Sequence, residues 1–139
     1  MGKSTGKIIL IGEHAVTFGE PAIAVPFNAG KIKVLIEALR AGTIRLLKAM
    51  FTMVCYMMRL TILSLLVNRF VELNNITEPL AVTIQTNLPP SRGLGSSAAV
   101  AVAFVRASYD FFGKSLTKEE LIEKANWAEQ IAHGKPKWY

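Results

Sequence analysis

The chain has 139 residues, enough for one domain that buries roughly two-thirds of the surface exposed by its unfolded form. Sixteen lysines and arginines against ten acidic residues give a net charge of +6. Five of these cations lie between Glu37 and Glu72, where there is no acidic residue, namely Arg40, Arg45, Lys48, Arg59 and Arg69. The remaining sequence is nearly neutral, so the excess charge belongs to one segment and does not indicate a basic binding surface across the fold. We therefore expect no nucleic-acid partner.

The N-terminus and the cysteine content indicate the compartment. Cys55 is the single cysteine, so no internal disulfide is expected. Lys3 and Lys7 precede an apolar run, but Glu13 and His14 interrupt it, which argues against a signal peptide. We therefore expect a cytoplasmic protein.

The first part of the chain predicts strands. Lys7–Ile11 and Ala22–Val25 are short apolar runs bounded by glycine or proline, which is typical of buried strands. Lys31–Leu39 begins with an alternation of polar and apolar residues and predicts a third strand. The alternation of Val82, Ile84 and Thr86 predicts a fourth.

The second part of the chain predicts two helices. Ala98–Asp110 is rich in alanine and valine and favours a helix. Thr117 and Glu120 have the spacing of a capping box, and the helix that they begin extends to about Ala132. Strands followed by helices indicate an α+β fold, with a mixed or antiparallel sheet and helices on one face.

The segment Arg40–Leu65 differs from its neighbours, since it contains four of the five methionines and no acidic residue. One interpretation is a basic amphipathic helix on a membrane surface, although its charges interrupt the apolar run that a membrane span needs. The alternatives are a core helix or a segment foreign to the rest of the fold. We expect this atypical basic segment, 40–65, to be poorly ordered, and a membrane partner is not favoured.

A glycine-rich loop carries the strongest chemical signal. Two glycines and three serines precede the alanines in the run Pro89-Pro90-Ser91-Arg92-Gly93-Leu94-Gly95-Ser96-Ser97-Ala98-Ala99. Glycines let the backbone approach a ligand, and the first amides of a helix have no partner within the helix. Because a helix N-terminus also carries partial positive charge, the loop suits a phosphate group. The Ser97 hydroxyl is a suitable ligand for Mg²⁺.

Three motifs in order resemble those of the GHMP kinases and, among them, the mevalonate kinases. The first comprises Gly6–Val16 and Gly19–Ala24, the second is the loop Pro89–Ala99, and the third is His133-Gly134-Lys135-Pro136. The resemblance covers residues 5–39 and 66–136. It implies a GHMP kinase N-terminal domain, ribosomal protein S5 domain 2-like, over residues 1–139. It also implies ATP-dependent phosphorylation of mevalonate in isoprenoid biosynthesis, with ATP and Mg²⁺ bound and a homodimer as a possible state of the full-length family.

The resemblance also implies roles for individual residues. Lys7 would stabilise the negative charge that develops during phosphoryl transfer. Glu13 and His14 would bind the substrate, and Ser97 with Glu129 would hold Mg²⁺. The residues expected to bind ATP are Pro90, Ser91, Arg92, Gly93, Leu94, Gly95, Ser96, Ser97, Ala98 and Ala99.

Helical periodicity gives independent support for Glu129. At 100° per residue it lies in the same sector as Leu121, Ile122 and Ala125 on the apolar face of the last helix. A carboxylate on a buried face requires a cation or strong hydrogen-bond donors. Metal ligation meets that requirement, and so does a lysine partner.

The chain departs from the family pattern at two places. Val16 stands where sugar kinases of the superfamily carry an acid. Lys137-Trp138-Tyr139 stands where the resemblance implies residues that lead to the catalytic aspartate. We expect the C-terminal domain of the family to be absent. We therefore expect this chain to be inactive alone. Inserting one adenine after the Pro136 codon of a parent that reads Lys-Pro-Ser-Gly-Ile-Asp gives this ending, so a reading-frame change is our hypothesis for it.

Three other functions stay open from the sequence. The first is phosphomevalonate kinase or another GHMP kinase activity. The second is nucleotide binding without turnover, and the third is a basic membrane-associated protein that uses the segment 40–65.

Overall fold

The computed structural model describes residues 1–38, 66–77, 80–88 and 94–133. The basic segment 40–65, the loop residues 90–93 and the C-terminal residues 134–139 lie outside the described residues. The expectations for the order of that segment and for the ending of the chain therefore stay predictions.

The sheet has three antiparallel strands in the order β1-β2-β3. They are β1 (Gly2–Ile11), β2 (Ile23–Ala38) and β3 (Leu80–Thr86), with a 3₁₀ turn at Ala15–Phe18 between the first two. One helical stretch, α1 at residues 66–73, lies between β2 and β3 in the chain. Two helices follow β3, namely α2 (Ser96–Phe111) and α3 (Lys118–His133). The predicted α+β class with an antiparallel sheet is confirmed.

The prediction of separate strands at Ala22–Val25 and Lys31–Leu39 is wrong, because both belong to β2. The sequence predicts Pro26 as a strand boundary, but Pro26 lies within β2, opposite Lys7, where β2 pairs with β1 but not with β3. A proline is tolerated there because its missing N–H removes no bond from a second neighbouring strand.

The helices cover one face of the sheet, as predicted. Alternate residues of β2 point into the core, so Ile32, Val34 and Ile36 are buried while Leu35 between them is exposed. The small residues of α2 let this helix approach the sheet closely, and a side chain at Gly2 would overlap the Ala103 carbonyl. The core cluster comprises Ile32, Val34, Ile36, Leu66, Phe70, Leu88, Ala99, Val100, Ala101, Ala103, Phe104, Ala107 and Ala128.

The predicted capping box at the start of α3 is confirmed. The Thr117 amide donates to Glu120 Oε2 at 3.0 Å, and the Glu120 amide donates to Thr117 Oγ1 at 3.2 Å. The Thr117 amide, followed by the hydroxyls of Thr117 and Tyr109, holds the pKa of the Glu120 carboxyl below its ordinary value. The Tyr109 hydroxyl donates to Glu120 Oε1 at 3.3 Å, which ties the end of α2 to the start of α3. Burial, followed by the charge of Glu120, raises the pKa of Tyr109.

The sequence does not predict α1, because about two turns of helix give too short a periodic pattern to stand out from the basic segment before it. Its inner residues Leu66 and Phe70 are spaced by one turn and are both buried. The Phe70 ring packs edge-on against Phe104 of α2, with the ring centroids 5.7 Å apart. Among the described residues, no helix is long and apolar enough to span a membrane.

Candidate functional site

The two ends of the glycine-rich loop are fixed to the same point of β1. The Leu88 side chain lies so close to Gly6 that a Cβ there would be 3.0 Å from Leu88 Cδ2. The carbonyl of Leu94 lies 2.9 Å from the same Cβ position and accepts a hydrogen bond of 3.0 Å from the Lys7 amide. The loop between these two leucines is therefore anchored at both ends before any ligand binds. We call Gly6, Gly30, Leu88 and Leu94 the loop corner.

An irregularity of the sheet makes room for the loop corner. The partner of Thr5 is Lys31 but the partner of Gly6 is Phe27, so residues 28–30 of β2 have no partner in β1. The Asn87 side chain stabilises this bulge, since its Nδ2 donates to the Ala29 carbonyl at 2.9 Å. Its Oδ1 accepts from the Lys31 amide at 2.7 Å. Gly30 leaves space for Leu88, which is only 4% exposed.

Lys7 lies against the N-terminus of α2. A Cβ at Gly95 would be 2.7 Å from Lys7 Cγ and 3.0 Å from Lys7 Cε, so the lysine stem extends across this glycine. Gly95 is the N-cap residue with φ of 64°, a left-handed conformation that glycine adopts without strain. The structure therefore brings the predicted Lys7 and the predicted helix N-terminus together.

The first turn of α2 offers several groups to an anion. Ser96 and Ser97 are half-buried, and the first intrahelical bond is donated by the Ala99 amide to the Gly95 carbonyl at 3.0 Å. The first amides of a helix point out of its N-terminus, and the helix dipole adds partial positive charge there. With the Lys7 ammonium, this turn can bind phosphate oxygens.

Glu129 lies toward the same end of α2. The Tyr109–Glu120 bond joins the end of α2 to the start of α3, and Glu123, Lys124 and Trp127 then line a common cavity with the second half of α2. Because α3 thus runs back along α2, the nine residues from Glu120 to Glu129 advance about 13 Å toward the first turn of α2.

The buried face of α3 differs in detail from the prediction. Ala125 and Ala128 are buried and Trp127 packs against the core, whereas Ile122 is 49% exposed. The assignment of Ile122 to the buried face is wrong, because the face that packs on the core contains Ala125, Ala128 and Trp127 instead. Glu129 is at the border of the face: the residue is half-buried and its Oε1 atom is fully buried.

Glu13 and His14 are at the other end of β1. Both are exposed in the turn between β1 and the 3₁₀ helix. The four residues from Lys7 to Ile11 extend about 13 Å along the strand. A tight corner fixes the turn, since Gly12 has φ of 90° and a Cβ there would be 2.7 Å from the Pro21 carbonyl oxygen. The structure does not bring these two residues to the N-terminus of α2.

The oxygen ligands available near the first turn of α2 suit Mg²⁺, which needs few protein ligands, better than a metal that is coordinated only by protein side chains. In the described ranges no group of three or more His, Cys, Asp or Glu residues could hold a metal ion. The Ser97 hydroxyl and one carboxylate, Glu129, are oxygen ligands. Mg²⁺ is commonly held by one or two carboxylates with the remaining positions taken by water and substrate phosphates.

Comparison with known proteins identifies the family. The profile of the GHMP kinases N terminal domain matches residues 56–137, more than half of the chain. The chain belongs to the GHMP kinases. The loop corner and the first turn of α2 are therefore parts of a GHMP kinase N-terminal domain, and kinases of this family use ATP.

The GHMP kinases to which the chain is similar are mevalonate kinases. Mevalonate kinase from Thermococcus sibiricus is 30% identical over 96% of this chain and 45% of the relative. The crystal structure of mevalonate kinase from methicillin-resistant Staphylococcus aureus MRSA252 is 76% identical over 98% of this chain and 46% of that chain, with a TM-score of 0.79. The Methanococcus jannaschii mevalonate kinase structure, 21% identical with a TM-score of 0.69, shares the fold. The chain thus spans just under half of the relatives that it matches.

Four positioning residues of this GHMP kinase domain were missed in the sequence. Gly6, Gly30, Asn87 and Leu88 hold the loop but carry no phosphate-binding chemistry. A glycine inside a strand indicates close approach of another group, and Gly6 directly before Lys7 gave that signal. No local pattern reveals that Leu88 fills the space above Gly30, because the two residues are distant in sequence.

Proposed function

We propose that this domain binds ATP with Mg²⁺ at the first turn of α2 and contributes half of the active site of a mevalonate kinase. The observation that carries the proposal is the convergence of Lys7 on Gly95, with both ends of the loop anchored at Gly6. The choice of mevalonate as the substrate is supported by the relatives of the chain, which are mevalonate kinases. The 76% identical structure, also of a mevalonate kinase, favours this substrate over those of other GHMP kinases.

The proposed mechanism assigns each group by its position. The loop residues 90–99 would surround the phosphates, and the amides of Ser96 and Ser97 would donate to phosphate oxygens. Lys7 would place its ammonium beside the transferred phosphoryl group and stabilise the charge of the transition state. Ser97 and Glu129 would hold Mg²⁺, which neutralises phosphate charge when bound. Glu13 and His14 would help bind the carboxylate of a substrate that lies along β1, or shape its pocket.

A hybrid enzyme tests the proposed activity. This chain is joined to the C-terminal half of the Staphylococcus aureus mevalonate kinase, and ADP release is measured with ATP, Mg²⁺ and a panel of alcohols that includes mevalonate and phosphomevalonate. We expect turnover with mevalonate. Turnover with phosphomevalonate alone would assign the domain to another GHMP kinase, and ATP binding without turnover on any alcohol would leave only a nucleotide-binding module.

Variants of the hybrid test the role of Lys7. Lys7→Met should lower kcat/KM by about 10²–10³-fold, since it removes a positive charge aimed at the transition state. Lys3→Met, on the same strand and also exposed, is the matched control and should keep the activity within about twofold. Equal losses in the two variants would contradict the role given to Lys7.

A further inference from the structure

A cavity of about 400 Å³ lies in the helical layer, between α1, the second half of α2 and the middle of α3. Its first α2 residue, Phe104, is seven residues beyond Ser97, about 10 Å along the helix axis. The cavity is therefore separate from the proposed nucleotide site. We call it the helical-layer cavity.

The walls of the helical-layer cavity are aromatic and aliphatic. Phe70 lies with its ring centroid 5.4 Å from that of Phe112 and 5.7 Å from that of Phe104. Trp127 of α3 and Leu66 of α1 complete the apolar surface. Such walls favour an alkyl or aromatic group, and the volume is in the range of small-molecule sites.

The charged residues of the cavity are mostly cations. Arg69, Lys114 and Lys124 line it with a single acid, Glu123. Because Arg69 also pairs with Glu72 at 3.7 Å, one positive charge is left in excess. The Lys114 ammonium is 5.1 Å from the centroid of the Phe112 ring, so it is held over the apolar wall. Lys124 of α3 is half-buried and lines the same cavity.

The neutral polar groups of the wall already make hydrogen bonds within the protein. Asn74 Nδ2 donates to the Phe70 carbonyl and the Ser108 hydroxyl donates to the Phe104 carbonyl, both at 2.8 Å. The cations are therefore the groups best able to fix the polar end of a ligand.

We propose that the helical-layer cavity binds a small amphiphilic anion, with an alkyl or aromatic body and one carboxylate or phosphate group. The body contacts Phe70, Phe112 and Trp127, and the anionic end is held between Lys114 and Lys124. This inference does not depend on the proposed kinase activity, because none of these residues lies at the loop corner.

Two fluorescent probes with the same apolar body test the proposal on the unmodified chain. 1-Anilinonaphthalene-8-sulfonate carries a negative charge, and N-phenyl-1-naphthylamine lacks it. We expect the sulfonate to bind at least tenfold more tightly than the neutral amine. In a Trp138→Phe variant, Trp127 is the only tryptophan, and energy transfer from it should report the bound sulfonate. Equal affinities, or no transfer from Trp127, would overturn the proposal.

A pair of double variants locates the anion. Lys114→Gln with Lys124→Gln should weaken sulfonate binding at least tenfold and change binding of the neutral amine less than twofold. Lys31→Gln with Lys33→Gln removes the same charge from the sheet and should change neither. Equal effects of the two double variants on the sulfonate would show attraction by net charge alone and would overturn the assignment.

Competition separates this cavity from the nucleotide site and identifies the head group. Saturating ATP with Mg²⁺ should leave sulfonate binding unchanged, and displacement by ATP would contradict the proposal. Decanoate and decyl phosphate are then titrated against the bound sulfonate. Displacement by either supports the proposal and shows which head group is preferred, whereas displacement by neither contradicts it.

Discussion

Two regions of the β1–β2 pair use the same kinds of residue in opposite ways. At the loop corner, near the middle of β1, Leu88 is only 4% exposed and fills the space left by Gly6 and Gly30. At the end of the pair that is nearest the turn, which we call the hairpin end, large apolar side chains are exposed: Ile8, Leu10, Ile11, Ile23 and Val25. Of these, Leu10 is 63% exposed.

Apolar sequence alone therefore does not locate the core of this domain. The loop corner is packed within the described residues, so it stabilises the fold and positions the loop at once. Within the described residues, the side chains of the hairpin end are largely exposed, so their burial adds little to the stability of the fold. We therefore expect substitutions at the loop corner to change both stability and ligand binding, and substitutions at the hairpin end to change the stability of this chain little.

The largest expected difference is between Leu88→Ala and Leu10→Ala. Leu88→Ala leaves a cavity in the core, and such changes lower the free energy of unfolding by about 2–5 kcal/mol. Leu10→Ala removes an exposed side chain and should stay within about 0.5 kcal/mol of the unmodified chain. Urea denaturation measures both values. If Leu88→Ala does not fold, Leu88→Met keeps the volume and should cost less than about 1.5 kcal/mol. Similar costs for Leu88→Ala and Leu10→Ala would remove the contrast between the two regions.

Gly95→Ala and Gly113→Ala separate backbone strain from contact with Lys7. The two glycines have nearly equal φ values, 64° and 62°, but a Cβ at Gly113 contacts nothing within 4 Å. Both variants should lose about 1–2 kcal/mol of stability from the left-handed conformation. Only Gly95→Ala displaces the Lys7 stem, so it alone should weaken the binding of ATP with Mg²⁺, measured by calorimetry. Equal loss of affinity in both would contradict the contact.

A smaller effect is expected at the start of α3, away from both regions. Thr117→Ala removes the N-cap hydroxyl that accepts from the Glu120 amide, and such changes cost about 0.5–2 kcal/mol. Thr117→Ser keeps the hydroxyl and is the matched control. ATP affinity should be the same in both variants, since the loop corner is unchanged. A loss of affinity in Thr117→Ala would show that α3 also positions the loop.

The smallest effect is a pH dependence from Glu120. The hydrogen bonds at Thr117 lower its pKa in the folded protein. Its negative charge therefore adds stability at pH values above 4.5, the ordinary pKa of glutamate. This contribution is lost as the pH falls through the lowered folded pKa. Glu120→Gln should therefore be less stable than the unmodified chain at pH 7, and the difference should shrink in acid. A difference that is constant with pH would exclude the charge as its cause.

The sequence predicted the parts of the fold that depend on local patterns. The alternation in β2 and β3, the capping box of Thr117 and Glu120, and the helix after the glycine-rich loop are all short-range signals, and the structure confirms them. The continuity of β2 through Pro26 was missed because it depends on which strands pair at that point. The roles of Leu88 and Gly30 were missed because they depend on contacts between distant segments.

For the candidate site too, the sequence predicts individual residues but not the contacts between distant segments. The serines of the loop and Lys7 were predicted from residue type, spacing and resemblance. Their proximity could be known only from the fold, which brings the Lys7 stem against Gly95. Glu13 and His14 lie at the hairpin end, and their proposed contact with substrate still has to be measured.

The most direct test of the central claim is an NMR titration of this chain with ATP and Mg²⁺, following its backbone amides. If the loop corner positions a nucleotide on the first turn of α2, the largest shifts will be at Lys7, Gly95, Ser96 and Ser97. The amides of the hairpin end, such as Leu10 and Ile23, will shift little. Saturable shifts that are largest at the hairpin end or in the helical-layer cavity, or no shifts at millimolar ATP, would contradict the account.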